Sequence, residues 1–268
     1  MGKIRKFLHY SRLFVKTNML KTIFINFKML PFKQAVKMPM FFYGKIITLE
    51  LSGKIVIEGD VHPGMIRYGY KWFDLWPTSF LPTQIQVMGR LVFQGAAVIS
   101  GGVNVNVQSK DGVLTIGKDV LIGGGSICKC LERIEIGDYT GITGNCTIMD
   151  CNMHFVKNID TGTVSNYKGP IKIGERCWIN AGSIITKGAV VPDFSIAARN
   201  AYLSTDYSEF GTNLFLVGSP AKPTSSKVQR IFTVEKQEEL KKYFESHDAQ
   251  FIQLEPGIEQ EIGLREGF

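Results

Sequence analysis

The chain of 268 residues carries 31 Lys or Arg against 24 Asp or Glu, is 44% hydrophobic, and has 28 glycines, five cysteines and four histidines. That apolar share excludes a disordered chain, and five cysteines without a C-x-x-C pair exclude a disulfide scaffold or a thiolate zinc site. Ten of the basic residues and none of the acidic ones fall within residues 1–49, so the remainder is slightly acidic and nucleic acid is excluded as a partner.

Residues 1–44 form the basic segment. Apolar residues recur at helical spacing, at Ile4, Phe7, Leu8, Phe14 and Val15, then Leu20, Ile23, Phe24 and Phe27. Two readings stand. A basic amphipathic helix can lie on an anionic membrane face as a peripheral contact, and a helix can also cap the open edge of the structure that follows. Charge interrupts the segment too often for it to span a bilayer.

From about residue 45 to 206 the rhythm changes to six. Aliphatic residues recur at Ile116, Ile122, Ile136, Ile142, Ile148, Ile173, Ile179, Ile185 and Val191. Four residues after them come small or modest side chains at Val120, Ser126, Thr140, Cys146, Cys177, Ser183, Ala189 and Ser195. A period of six fits neither one helix nor an ordinary strand; three hexads make one triangular coil of a parallel β-helix. The register extends upstream through Leu51/Ile55, Ile57/Val61, Val87/Leu91, Phe93/Ala97, Ile99/Val103 and Val105/Ser109. Gly117, Gly123, Gly137 and Gly174 follow the aliphatic position, where a turn is expected to use positive φ. Cys128, Cys146 and Cys177 fall on inward positions and read as small hydrophobes.

Two interruptions are expected as loops extruded at corners, where binding residues gather. The first, about 63–84, carries Tyr68, Tyr70, Trp72, Phe73, Trp76 and Phe80; these rings either stack on a sugar or pack the loop on the coil. The second, about 153–170, begins at Asp150-Cys151-Asn152-Met153-His154. Imidazole is the side chain suited to take a proton near neutral pH, so His154 is the candidate general base. Asp150 and Asn152 lie on one face of an extended run with it and are candidates to orient its other nitrogen. Cys151 offers a rival nucleophile. His9, His62, His154 and His247 do not converge, so no metal is expected.

Residues 207–268 form a C-terminal extension. A helix follows Thr233, its expected cap, to close the other end or pack on a neighbour. The tail from Glu255 has little apolar content.

The run Asp150–His154, with Gly169-Pro170-Ile171-Lys172-Ile173-Gly174, Cys177-Trp178-Ile179-Asn180-Ala181-Gly182 and Val217-Gly218-Ser219-Pro220-Ala221-Lys222, resembles the hexapeptide-repeat acyltransferases. It is most similar to the maltose/galactoside type and to those that O-acetylate bacterial surface polysaccharides. The resemblance covers about residues 110–230. It implies an all-β, left-handed parallel β-helix, a homotrimer, and acetyl-CoA or another pantetheine thioester as donor in a groove between subunits. It assigns His154 as catalytic base acting without an acyl-enzyme and Ala181 as the backbone donor to the oxyanion. Trp178, Ala198, Ser204, Thr205 and Lys222 become donor contacts. The sequence departs from the family in having Asn180 where Gly is usual, Ala198-Arg199-Asn200 where Gly-Ala-Gly is usual, and residues 207–215 as an expected insertion. The implied reaction is transfer of acetyl to a sugar hydroxyl of a surface glycan or its precursor. The alternatives are amino-sugar N-acetylation and a catalytically silent scaffold or glycan-binding subunit. Five cysteines expected to be reduced, with no secretory signal pattern, place the chain in the cytoplasm.

Overall fold

A computed structural model describes residues 17–71, 81–231 and 233–255. Parallel strands of two to six residues stack into three sheets that form the faces of a prism. Face one runs from Met40–Phe42 through Ile66–Tyr70, Ala97–Ser100, Val120–Ile122, Gly141–Ile142, Trp178–Ile179 and Ile196–Ala197 to Phe215–Gly218, and ends on the antiparallel strand Ala221–Pro223. Face two runs from Ile46–Leu51 through Thr83–Val87, Asn104–Val107, Ile127–Cys130, Thr147–Met149 and Ile184–Thr186 to Tyr202–Leu203. Face three holds Lys54–Ile57, Arg90–Phe93, Val113–Ile116, Arg133–Ile136, Ile171–Ile173 and Val190–Val191. The stack therefore extends past residues 45–206 at both ends.

The hexad rhythm becomes ladders. Ile99, Ile122, Ile142, Ile179 and Ala197 lie one above another on face one, all fully buried. The small residues four positions later are buried at the corners, and their polar atoms stitch neighbouring coils. Thr140 Oγ1 donates to Gly174 O at 2.7 Å, and Ser183 Oγ donates to Asn180 O and Ala198 O at 2.7 and 3.0 Å. A larger aliphatic residue there would lose those bonds and overfill the corner.

The glycines after the aliphatic positions serve another purpose than expected. None of Gly117, Gly123, Gly137 and Gly174 has a positive φ. Each lies against the next coil: a Cβ on Gly137 would sit 2.5 Å from Gly174 C, and one on Gly123 would sit 2.5 Å from Thr143 C. Close coil approach, not backbone freedom, selects them. The left-handed backbone falls instead on corner residues such as Asp119, Tyr139, Asn145, Arg176 and Asn200. Gly137→Ala is expected to destabilise by about 1–3 kcal/mol, read as a lower denaturation midpoint at unchanged far-ultraviolet dichroism.

Helix α1 (Met19–Met29) and the short helix α2 (Phe32–Ala35) close the first coil. Asn18 caps α1 by accepting the Lys21 N–H at 3.2 Å. Its buried side turns Thr22 and Asn26 onto the free edge of Met40–Phe42. Asn26 Nδ2 donates to Met40 O at 2.8 Å and its Oδ1 accepts from Met40 N at 3.2 Å, while Thr22 Oγ1 accepts from Phe42 N at 3.0 Å. Side chains thus satisfy an edge that would otherwise be unpaired. The expected positions Ile4 to Val15 lie outside the described residues.

Two expectations about insertions change. Tyr68 and Tyr70 belong to a strand of face one, and Tyr68 is buried with its hydroxyl donating to Gln84 O at 2.8 Å. The Phe42 ring packs on that of Tyr68 at 5.2 Å. Trp72, Phe73, Trp76 and Phe80 lie outside the described residues. Residues 207–215 are not an insertion but complete the last coil. Asp206 continues face three as a single parallel bridge to Val190, Tyr207 and Leu214 point into the core, a 3-10 turn at Ser208–Phe210 makes the following corner, and Phe215 pairs with Ile196. Helix α3 (Val234–Ser246) forms after Thr233 as expected, yet the Thr233 hydroxyl makes no capping bond and no residue of the helix is buried.

Candidate functional site

The second interruption leaves the stack between faces two and three. Its root is clamped by Asp150, which is fully buried. Asp150 Oδ1 accepts from Leu131 N at 2.8 Å, and Oδ2 accepts from Glu132 N and Arg133 N at 2.7 and 2.9 Å. Its backbone oxygen accepts from Gly169 N at 2.9 Å, and Asn152 N donates to Tyr167 O at 2.7 Å. From this clamp a hairpin projects, Val156–Lys157 against Val164–Ser165, turned by Asn158 Oδ1, which accepts from Asp160 N and Thr161 N. The Phe155 and Tyr167 rings meet edge to face at 5.0 Å, and Lys187 Nζ ties the returning strand by donating to Asn166 O at 2.7 Å.

His154 stands exposed beside this clamp and makes no hydrogen bond among the described residues. Asp150 therefore does not orient the imidazole: both carboxylate oxygens belong to the turn one coil above. Part-buried N–H groups at a corner are satisfied by this carboxylate. Asn152 is exposed and its side chain also makes no bond to His154. Cys151 is buried with Sγ 3.4 Å from Met153 Sδ, and burial, reinforced by the Asp150 charge, pushes its thiol pKa up. A protonated, unpaired thiol is a poor nucleophile. The other four cysteines are buried and free, with burial pushing Cys128 and Cys177 up to about 12.

The residues assigned to the donor align along a different edge, between faces one and two. Gly182 N donates to Gly144 O, Asn200 N to Ala181 O, and Ala198 N to Leu216 O, so Gly144, Ala181 and Ala198 run down one corner. Lys222, exposed and opposite Val217, ends that line. The Ala181 N–H donates to no described residue, as is also true of Gly124 and Gly144 above it. Asn180, where the family has Gly, turns its amide along the corner, with Nδ2 donating to Ala197 O at 2.8 Å. Ser204 and Thr205 follow Tyr202–Leu203 and sit instead on the edge that carries His154.

Trp178 faces outward on face one, beneath a segment that the sequence did not flag. Arg230 places its guanidinium 4.7 Å from the Trp178 ring centroid, and burial lowers its pKa. Gly141 beside it leaves room, since a Cβ there would come within 3.4 Å of an Arg230 nitrogen. The only sequence signal was the glycine in an outward strand position.

One chain thus splits its candidates between two edges of the prism. The structure is similar to that of the polysialic-acid-specific acetyltransferase NeuO, at 16% identity over 81% of this chain and 91% of that one, with a TM-score of 0.50. The fold is the left-handed β-helix of the hexapeptide-repeat acyltransferases. Two further hexapeptide-repeat structures are similar at lower scores. The polysialic acid O-acetyltransferase OatWY shares 15% identity over 76% of this chain and 98% of its own, with a TM-score of 0.39. AntD, an N-acyltransferase from Bacillus cereus, shares 15% identity over 77% and 89%, also with a TM-score of 0.39. No protein-family model and no curated protein matches the sequence.

Among the described residues no group of His, Cys, Asp or Glu could hold a metal ion. Among them, too, no helix is long and apolar enough to cross a membrane.

Proposed function

We propose that this hexapeptide-repeat protein transfers an acetyl group from acetyl-CoA to a hydroxyl of a sialic-acid-type or related sugar in a surface glycan or its precursor. The observation that carries the reading is the separation of His154 from the Ala181 edge within one molecule. A three-fold ring of prisms brings the His154 edge of one copy against the Ala181 edge of the next, so the working unit is a trimer. The hairpin supports this: Phe155 is 69% and Ile159 84% exposed, beside exposed Val156 and Val164, an apolar projection suited to a neighbouring subunit.

In the reaction, His154 accepts the proton of the acceptor hydroxyl as its oxygen attacks the thioester carbonyl. The Ala181 N–H, which donates to no described residue, donates to the oxyanion. Collapse breaks the C–S bond, and the CoA sulfur leaves and takes the proton that His154 had accepted. Residues 198–205 and Lys222 extend the donor and glycan contacts along the two edges, with Lys222 available to nucleotide phosphates.

The test is release of CoA thiol from acetyl-CoA in the presence of polysialic acid, other acidic and neutral oligosaccharides, and amino sugars. Light scattering on the same sample should give three times the chain mass. Thiol release with an alkali-labile O-acetyl product is expected. An alkali-stable amide would move the activity to N-acylation, and no release with any acceptor, together with a monomeric mass, would overturn the proposal.

A further inference from the structure

The end of the prism carries a helix that is built inside out. On α1 the stripe Thr22, Ile25, Asn26 and Met29 is buried, and two of its four residues are polar. The opposite stripe, Leu20, Ile23, Phe24 and Phe27, recurs at the same helical spacing and is exposed, Leu20 at 83%. Phe32 on α2, 73% exposed, continues it, with its ring 6.1 Å from that of Phe27, and Val36 is exposed beyond. Polar residues face inward because the strand edge needs donors and acceptors. Nothing in the capping role calls for apolar residues on the far side.

The charge on the helices that carry this face has one sign, with Glu50 of the adjacent strand beside Phe24 and Lys28. Lys28, Lys33 and Lys37 are exposed beside it, Lys21 is held by Thr48 Oγ1 at 3.0 Å, and no acidic residue occurs before Glu50. A second copy of the same face would bring these lysines against each other. The chain's own residues 1–16 would add five more basic groups and no acidic one. An anionic bilayer surface satisfies both properties together: acyl chains receive the apolar stripe while headgroup phosphates face the lysines.

We infer that the outward face of α1 and α2 docks this end of the prism on an anionic lipid surface as a peripheral contact. The chemistry is that of an interfacial helix: Leu20, Ile23, Phe24, Phe27 and Phe32 enter the headgroup boundary, and the lysines contribute roughly fivefold each to binding. High salt weakens the charge component, since the Debye length falls from about 10 Å at 0.1 M to about 3 Å at 1 M.

The test is flotation of the full-length protein with phosphatidylcholine vesicles, with and without phosphatidylglycerol. Flotation with the anionic vesicles is expected, weakened on the order of tenfold or more without phosphatidylglycerol and again by high salt. The double variant Phe24→Asp/Phe27→Asp changes exposed positions only and leaves the Thr22 and Asn26 bonds intact. It should keep the wild-type melting profile and lose flotation, and Lys28→Glu/Lys33→Glu/Lys37→Glu should lose the dependence on phosphatidylglycerol. Wild-type protein that stays at the bottom with anionic vesicles overturns the inference. So does a Phe24→Asp/Phe27→Asp variant that floats like wild type, or one whose oligomeric mass falls, which would assign the face to a protein contact.

Discussion

Replacing His154 by alanine is expected to lower kcat by about 10² to 10⁴, or roughly 3–5 kcal/mol of barrier, while the assembly keeps its melting profile. The side chain is exposed and makes no hydrogen bond among the described residues, so its loss leaves no cavity and orphans no buried group. Any loss of turnover therefore reports chemistry. Acetyl-CoA affinity should change little, because the imidazole acts on the acceptor hydroxyl while Ala181, Ala198 and Lys222 lie on another corner of the chain. Normal turnover in His154→Ala would remove the imidazole from the reaction, and a collapsed assembly would make its role structural.

The second large effect is on stability. Asp150→Ala is expected to cost about 3–5 kcal/mol, because three backbone N–H groups at the Leu131–Arg133 turn lose a charged acceptor at once. For a chain of this size that corresponds to a drop in Tm on the order of 10 °C. Asp150→Asn should not rescue it fully, since every orientation of the amide sets an NH2 against at least one of those N–H groups. A residue that merely oriented His154 would give the opposite pattern, an unchanged Tm and a large fall in kcat. Thermal melting of the two variants separates the cases.

The ladder of aliphatic residues was legible because each hexad repeats the same local demand: one inward side chain, one small corner. Where a demand came from a different coil, the sequence was silent. Asp150 looked like a partner for a histidine four residues away, but its partners lie 17 to 19 residues upstream and are main-chain groups, which leave no mark in side-chain identity. Gly137 looked like a turn glycine, and its reason is the backbone of Gly174 pressing from the next coil. The stretch 207–215 looked extra because face three shrinks there to a single bridge at Asp206 and a 3-10 turn fills the next corner, erasing the hexad pattern while keeping the coil closed. The site's two halves were readable as residue types, but their placement on separate edges depends on which corner each loop occupies, a count that irregular coils blur.

The plug at the first coil also limits growth. Parallel solenoids with a bare terminal strand lengthen by zipping onto one another, as amyloid does. Here the amide of Asn26 and the hydroxyl of Thr22 occupy the bonding positions that an incoming strand would need. On that face two side chains close the stack to a further rung.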